Sequence, residues 1–191
     1  YYFYIMQLTT TMRDENGSLG LIHLCQDIKQ YLQKEKFDLV EIGSYAGESA
    51  VIFAEQFPNA TIYCIDPWLG GYDNQDSASF ADYSQVEKEF DFRTSKFSNI
   101  QKLKGYSTDF EIKYDVIYID GRHFYEGVKE DLLHWIPLRK QKAIISGHDY
   151  YQDKNILKIH PHIEGVRKAI DEILLSPLKT YQDSSWMIQL L

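Results

Sequence analysis

Short apolar runs that stop at a glycine or an acid, alternating with longer segments of helical period, constrain this chain more than any other feature. The clearest is Tyr114-Asp115-Val116-Ile117-Tyr118-Ile119, closed by Asp120-Gly121. Phe37 to Gly43, Thr61 to Ile65 ahead of Asp66-Pro67, and Lys142 to Ser146 ahead of Gly147 repeat the pattern, and Ile100 to Lys104 is a weaker example. A strand that is apolar on both faces must be covered on both, which is what crossover helices do for a parallel sheet. The intervening segments supply such helices. From Ser18, a helix-capping residue type, Leu19, Ile22, Cys25, Ile28 and Leu32 fall on one face and predict a helix over 18–36. Glu48 to Phe57, Ala81 to Phe92, Tyr125 to Trp135 and Ile163 to Leu175 read as further helices.

The end of the chain departs from this rhythm. Leu178 to Tyr181 and Trp186 to Leu191 read as two short strands across a turn, a hairpin that would insert one antiparallel strand. The expected fold is therefore α/β, a Rossmann-like doubly wound sandwich around a mostly parallel seven-stranded sheet with one antiparallel strand near the C-terminus. Residues 1–17, aromatic at first (Tyr1, Tyr2, Phe3, Tyr4), read as an arm or lid, and 37–191 as the core. With 191 residues, 44% of them hydrophobic, the whole chain 1–191 suffices for one domain.

Charge and cysteine usage narrow the partners. A formal charge of -8 disfavours nucleic acid, whose phosphates select basic faces. The apolar runs are too short to span a bilayer, so no membrane partner is expected. Cys25 and Cys64 fall on a helix face and in a strand, where free thiols act as small hydrophobes, and a reduced, cytoplasmic protein is expected.

In an open α/β sheet, ligands bind outside the carboxyl ends of the strands. The acids at those ends are Glu41, Asp66, Asp120 and Asp149. Glu41-Ile42-Gly43-Ser44-Tyr45-Ala46-Gly47-Glu48-Ser49 is a strand-to-helix turn whose glycines permit close backbone approach and whose helix start offers free N–H groups. The same glycines would also serve a plain tight turn. Asp66 lies 23 residues beyond Gly43 (66 minus 43), where a carboxylate can accept both ribose hydroxyls or simply cap a turn. Because the glycines do not spell G-x-G-x-x-G, S-adenosylmethionine is favoured over a dinucleotide. An NAD-dependent oxidoreductase, a non-catalytic nucleoside-cofactor-binding protein, and a nucleic-acid amino-methyltransferase suggested by Asp66-Pro67-Trp68 stand as alternatives.

Together these motifs resemble the class I S-adenosylmethionine-dependent methyltransferases, and more narrowly methyltransferase family 24, a relative of the catechol O-methyltransferases. The carriers are Val40 to Ser49, Ile65-Asp66-Pro67-Trp68, Asp115 to Glu126, and Gly147-His148-Asp149-Tyr150 followed by Gly165 to Ile170. The resemblance implies that the turn bearing Glu41, Gly43, Ser44, Tyr45, Gly47 and Ser49 holds the methionine end of the cofactor. It assigns Asp66 to the ribose and Gly105-Tyr106-Ser107 to the adenine edge, while Trp68 beside the cofactor loop reads as a pocket wall. Asp120, near the cofactor, would with His148 and Asp149 hold Mg²⁺ or another divalent metal, and His123 would stand where the relatives place a base; His123, Asp120 and His148 form the expected catalytic set. Since Mg²⁺ prefers oxygen ligands, His148 leaves room for Mn²⁺, Zn²⁺ or no metal. The expected reaction is O-directed methyl transfer to a small hydroxylated metabolite or sugar, in a chain that could form a homodimer. Loops 68–80 and 150–162 would build the acceptor pocket, and His134, His160 and His162 read as surface or loop residues.

Overall fold

The computed structural model describes residues 12–72, 76–175 and 179–190. Residues 1–11 of the expected arm, 73–75 of the expected loop 68–80, and Leu178 and Leu191 of the expected hairpin lie outside the described residues. The elements run α1 (Glu15–Leu32), β1 (Asp38–Ile42), α2 (Glu48–Gln56), β2 (Thr61–Asp66), α3 (Tyr83–Thr94), β3 (Ile100–Lys104), β4 (Tyr114–Ile119), α4 (Tyr125–Trp135), β5 (Arg139–Gly147), α5 (Lys154–Ile159), α6 (Glu164–Ile173), β6 (Lys179–Thr180) and β7 (Trp186–Gln189).

The sheet has seven strands in the order β3-β2-β1-β4-β5-β7-β6, with β1 to β5 parallel and β7 inserted antiparallel between β5 and β6. Strand order reverses between β1 and β4, whose register pairs Val40 with Ile117 and Ile42 with Ile119. The connections that leave their carboxyl ends run to opposite sides, which opens a crevice above the strands, the place where such sheets take ligands. All six residues of β4 are buried, and Val116 to Ile119 alternate between two cores. Val116 and Tyr118 join Leu24, Ile28, Phe53 and Phe90 under α1, α2 and α3. Ile117 and Ile119 join Val128, Leu132, Trp135 and Ile170 under α4 and α6. This period-two alternation is why the strand sequence reads as a continuous apolar run.

Local chemistry moved several boundaries. The first helix starts at Glu15 rather than Ser18, because the Asp14 carboxylate accepts from the Gly17 N–H at 2.7 Å while the Ser18 N–H already bonds the Asp14 carbonyl. It stops at Leu32, where Gln33 turns left-handed (φ 52°) and donates to the Lys29 carbonyl. Helix α3 starts at Tyr83 because Asp82 caps it. The expected loop 150–162 contains α5, capped by Asp153, and a 3₁₀ turn at Pro161–Ile163. Asp115 and Asp38 anchor the opposite, N-terminal edge of the sheet through Lys34 and Lys140.

Candidate active site

A cleft of about 750 Å³ opens at the carboxyl ends of β1, β2, β4 and β5. Its floor is the turn after β1. Gly43 (φ 84°) is in a conformation that side chains disfavour, and a Cβ there would lie 2.1 Å from the Asp120 carbonyl, so glycine is what lets the ends of β1 and β4 close on each other. Glu41 is fully buried behind the turn, where its Oε2 accepts from the Ser44 hydroxyl at 2.6 Å, and burial pushes its carboxyl pKa up. Gly47 (φ 83°) is the residue before α2, with the Phe90 ring 3.0 Å from where its Cβ would be. Thus Gly43, Ser44, Tyr45 and Ser49 line the cleft, whereas Glu41 and Gly47, expected at the cofactor, support the turn from behind. Gly47, at the cap position, brings no side chain to the first N–H groups of α2.

Asp66 lines the cleft but is only 6% exposed, since it accepts from the Tyr45 N–H (2.9 Å) and the Trp68 N–H (2.6 Å). Burial raises its pKa against the pull of those two bonds. The same capping turns Trp68 into a left-handed conformation (φ 46°) with its indole in the core, 4.9 Å from the Phe90 ring and donating Nε1–H to the Tyr45 carbonyl. Trp68 is thus a brace for the cofactor loop and not the expected pocket wall.

On the other side of the cleft the charged groups converge. One ligand atom each of Asp120, His123 and Asp149 lies within 4.8 Å of the others. His123 Nδ1 is 3.0 Å from Asp76 Oδ2, which also accepts from the Tyr72 hydroxyl. That fixes the ring so that Nε2 faces Asp149 Oδ2 at 3.2 Å and Asp120 Oδ1 at 3.7 Å, buried and without a partner in hydrogen-bonding geometry. Asp120 Oδ2 is held from behind by Arg13, whose guanidinium also reaches the Tyr118 hydroxyl and Asp183. His148 Nδ1 lies 3.2 Å from Asp149 Oδ1.

Burial alone would lower the His123 pKa, but Asp120, Asp76 and Asp149 outweigh it and hold the imidazole well above its ordinary value. His148 is raised by Asp120 and Asp149 against the same desolvation. Asp76, facing His123, is held down at about 2 despite burial, and Asp149 is held far below the ordinary carboxylate range by the two histidines. A carboxylate behind one imidazole nitrogen and an unpartnered nitrogen aimed at two more carboxylates is the arrangement that orients a histidine toward a metal. The donor set of two carboxylates and one imidazole fits a divalent ion that accepts nitrogen better than it fits Mg²⁺. The expected trio of Asp120, His148 and Asp149 lies together here, with His148 Nδ1 3.7 Å from Asp120 Oδ1 and 3.2 Å from Asp149 Oδ1, and His123 joins the two carboxylates from the other side.

A model of methyltransferase family 24, described as a methyltransferase domain, matches residues 40–150, more than half of the chain. The chain belongs to this family. No curated protein matches it by sequence. Solved structures that share its fold include a candidate caffeoyl-CoA O-methyltransferase from Staphylococcus aureus, with 16% identity over 94% of this chain and 84% of that one at TM-score 0.62. The O-methyltransferase TomG from Streptomyces achromogenes, in complex with S-adenosylmethionine, has 12% identity over 95% of this chain and 81% of its own at TM-score 0.59. An O-methyltransferase from Bacillus cereus, in complex with S-adenosylhomocysteine, has 10% identity over 95% and 93% at TM-score 0.57.

Several residues of this methyltransferase's cleft escape a reading of strand ends. Arg13 lies in the segment read as an arm, and Asp76 in a loop without period. His160 and His162, read as surface or loop residues, line the cleft because α5 folds the segment back over it. Asp131 sits in mid-helix and also reaches the cleft; an acid at the position Val128 and Leu132 mark as the buried face was the available signal.

Proposed function

We propose that this methyltransferase moves the methyl group of S-adenosylmethionine to a hydroxyl oxygen of a small, uncharged molecule. The observation that carries this reading is one cleft in which the glycine turn at the start of α2 stands opposite the Asp120, His123 and Asp149 cluster. Residues 12–190 would act as one domain.

The chain fits the cofactor. The start of α2, with Gly47 at its cap position, suits a carboxylate. Each Asp66 oxygen retains a second lone pair for a ribose hydroxyl. When bound, S-adenosylmethionine supplies an electrophilic methyl carbon on a sulfonium, so alignment of the acceptor oxygen is the main demand on the protein. Asp120, Asp149 and His123 would hold a divalent metal, whose chemistry there is to acidify the acceptor hydroxyl. Without it, His123 Nε2 takes up the acceptor's proton only once the imidazole has lost its own, which the surrounding carboxylates delay to higher pH.

Carboxylates from Glu48 to Asp149 outnumber the two arginines of the cleft, Arg13 and Arg122, and both arginines are already ion-paired. That supports an acceptor without phosphate and disfavours nucleic acid. No helix among the described residues is long and apolar enough to cross a membrane. The buried free thiols of Cys25 and Cys64 favour a reducing, cytoplasmic setting. Calorimetry of the purified chain with S-adenosylmethionine, S-adenosylhomocysteine and NAD tests the cofactor. Binding of the first two and not of NAD is expected, and a preference for NAD would overturn the reading.

A further inference from the structure

We propose that Asp183 is the counter-ion of Arg13, and that by neutralising this guanidinium it keeps the Asp120, His123 and Asp149 cluster open to a cation. The inference rests on the metal reading above and adds to it a positioning residue from the C-terminal hairpin. Arg13 stands where a positive charge opposes that reading. Its Nη2 donates to Asp120 Oδ2 at 3.4 Å, while Oδ1 of the same carboxylate faces His123 Nε2 and His148 Nδ1 at 3.7 Å each. A cation at the cluster would meet the guanidinium charge in a partly buried site, where water screens repulsion poorly.

Asp183 cancels that charge. It lies in the turn between β6 and β7 with its side chain 1% exposed, and Arg13 is its one ion-pair partner among the described residues. Its Oδ2 accepts from Arg13 Nη1 at 3.4 Å and from the Ser185 hydroxyl at 2.8 Å, and its Oδ1 from the Ser185 N–H at 3.1 Å. Having donated to Asp183, the Ser185 hydroxyl accepts from the Tyr118 hydroxyl at 3.1 Å, and the Tyr118 oxygen accepts in turn from Arg13 Nη2 at 3.3 Å. The ring of bonds closes on the guanidinium. Helix α1 is also shaped to it: a Cβ on Gly20 would lie 2.2 Å from Asp183 Oδ1, so glycine is what lets the helix pass over the carboxylate. A buried ion pair seldom stabilises a fold more than apolar side chains of the same volume, so stability alone is a poor reason to keep this one. Holding Asp120 by a hydrogen bond while cancelling the charge of the group that holds it is a better one.

The test is a Mn²⁺ titration of the purified chain followed by electron paramagnetic resonance, which reads the free ion and needs no acceptor. Asp183→Asn keeps the shape of the side chain and leaves Arg13 uncompensated, so Mn²⁺ should bind about 10- to 100-fold more weakly, the effect of one extra unit charge near the site. Removing both charges, Arg13→Met together with Asp183→Asn, should return the affinity to within about threefold of wild type. A double variant as weak as Asp183→Asn would make Asp183 a structural group of the hairpin and overturn the proposal, and so would wild-type affinity in Asp183→Asn. Arg13→Met alone, which keeps the test open should Asp183→Asn fail to fold, is expected to bind Mn²⁺ at least as tightly as wild type. Weaker binding there would mean that the guanidinium only orients Asp120, and would overturn the proposal as well. If wild-type protein bound no Mn²⁺, the metal reading would fall and this inference with it, whereas binding of S-adenosylhomocysteine in calorimetry would leave the cofactor reading standing.

Discussion

At the N-terminal edge of the sheet, Asp115 of β4 accepts from Lys34, from Lys140 and from the Asp38 N–H, and each oxygen has a donor. At the C-terminal edge, just beyond the same strand, Asp120 is shared among Arg13, His123 and His148, with an imidazole nitrogen nearby that has no hydrogen-bond partner. The backbone at the cleft is also unusual: Tyr45, Trp68 and Asp149 turn left-handed after β1, β2 and β5, as Gln33 and Lys142 do elsewhere in the chain. Strained conformations and incompletely satisfied charge persist where a ligand, and not the fold, is what they serve. The paired end stabilises; the unpaired end is available for chemistry.

The largest effect should come from removing the cleft's charges. On an acceptor found by screening hydroxylated metabolites, Asp120→Asn and His123→Ala are expected to lower turnover by about 10²- to 10⁴-fold, the range for lost acid–base or metal assistance. Affinity for S-adenosylhomocysteine should stay within about 1 kcal/mol, because neither residue is in the glycine turn. Wild-type turnover in both variants would erase the distinction between the two ends. Next in size, Asp66→Ala should weaken S-adenosylhomocysteine by roughly 1.5–3 kcal/mol through lost hydrogen bonds to a charged group. An unchanged affinity in calorimetry would make Asp66 a cap for Tyr45 and Trp68 alone.

At the other end, Asp115→Ala should cost about 1–2 kcal/mol of stability, less than a fully buried ion pair because Lys34 and Lys140 can return to solvent. In a chain of this size that lowers the melting temperature by about 2–8 °C. S-adenosylhomocysteine affinity should not move. A variant that melts normally but binds poorly would reverse the comparison.

The legibility of the sequence follows the same division. Strands β1 to β5 and the crossover helices were readable because burial on two faces leaves a continuous apolar record, as in Val116 to Ile119. The acids Asp66, Asp120 and Asp149 were readable because the parallel topology sends the carboxyl ends of β1 to β5 to one side of the sheet. Trp68 was misread because its direction depends on how Asp66 binds two backbone N–H groups, a three-dimensional fact without a sequence period. Asp76, Arg13 and Asp131 reach the cleft through tertiary contact, and no spacing relative to the glycine turn announces them. The start of α1 was missed by competition between two good caps, Asp14 and Ser18, which propensity alone does not rank.

The smallest effect is a pH dependence that separates the two ends. His123 and His148 have raised folded-state values, so their contribution to stability is complete below the unfolded value near 6.5 and is lost as pH rises through the raised ones. Asp115 and Asp76 are lowered, so their contribution is present above the ordinary carboxylate value and is lost as pH falls. Both ends of the sheet therefore weaken in acid, but only the cleft weakens on the alkaline side of neutrality. With chelator present to keep metal from the histidines, the melting temperature should decline above about pH 6.5 and level off once the raised histidine values are passed. His123→Gln should flatten that alkaline limb, and Asp115→Asn should leave it in place while flattening part of the acid limb. If Asp115→Asn removed the alkaline limb as well, the two ends would be titrating as one network and the division between a stabilising edge and a chemical edge would be wrong.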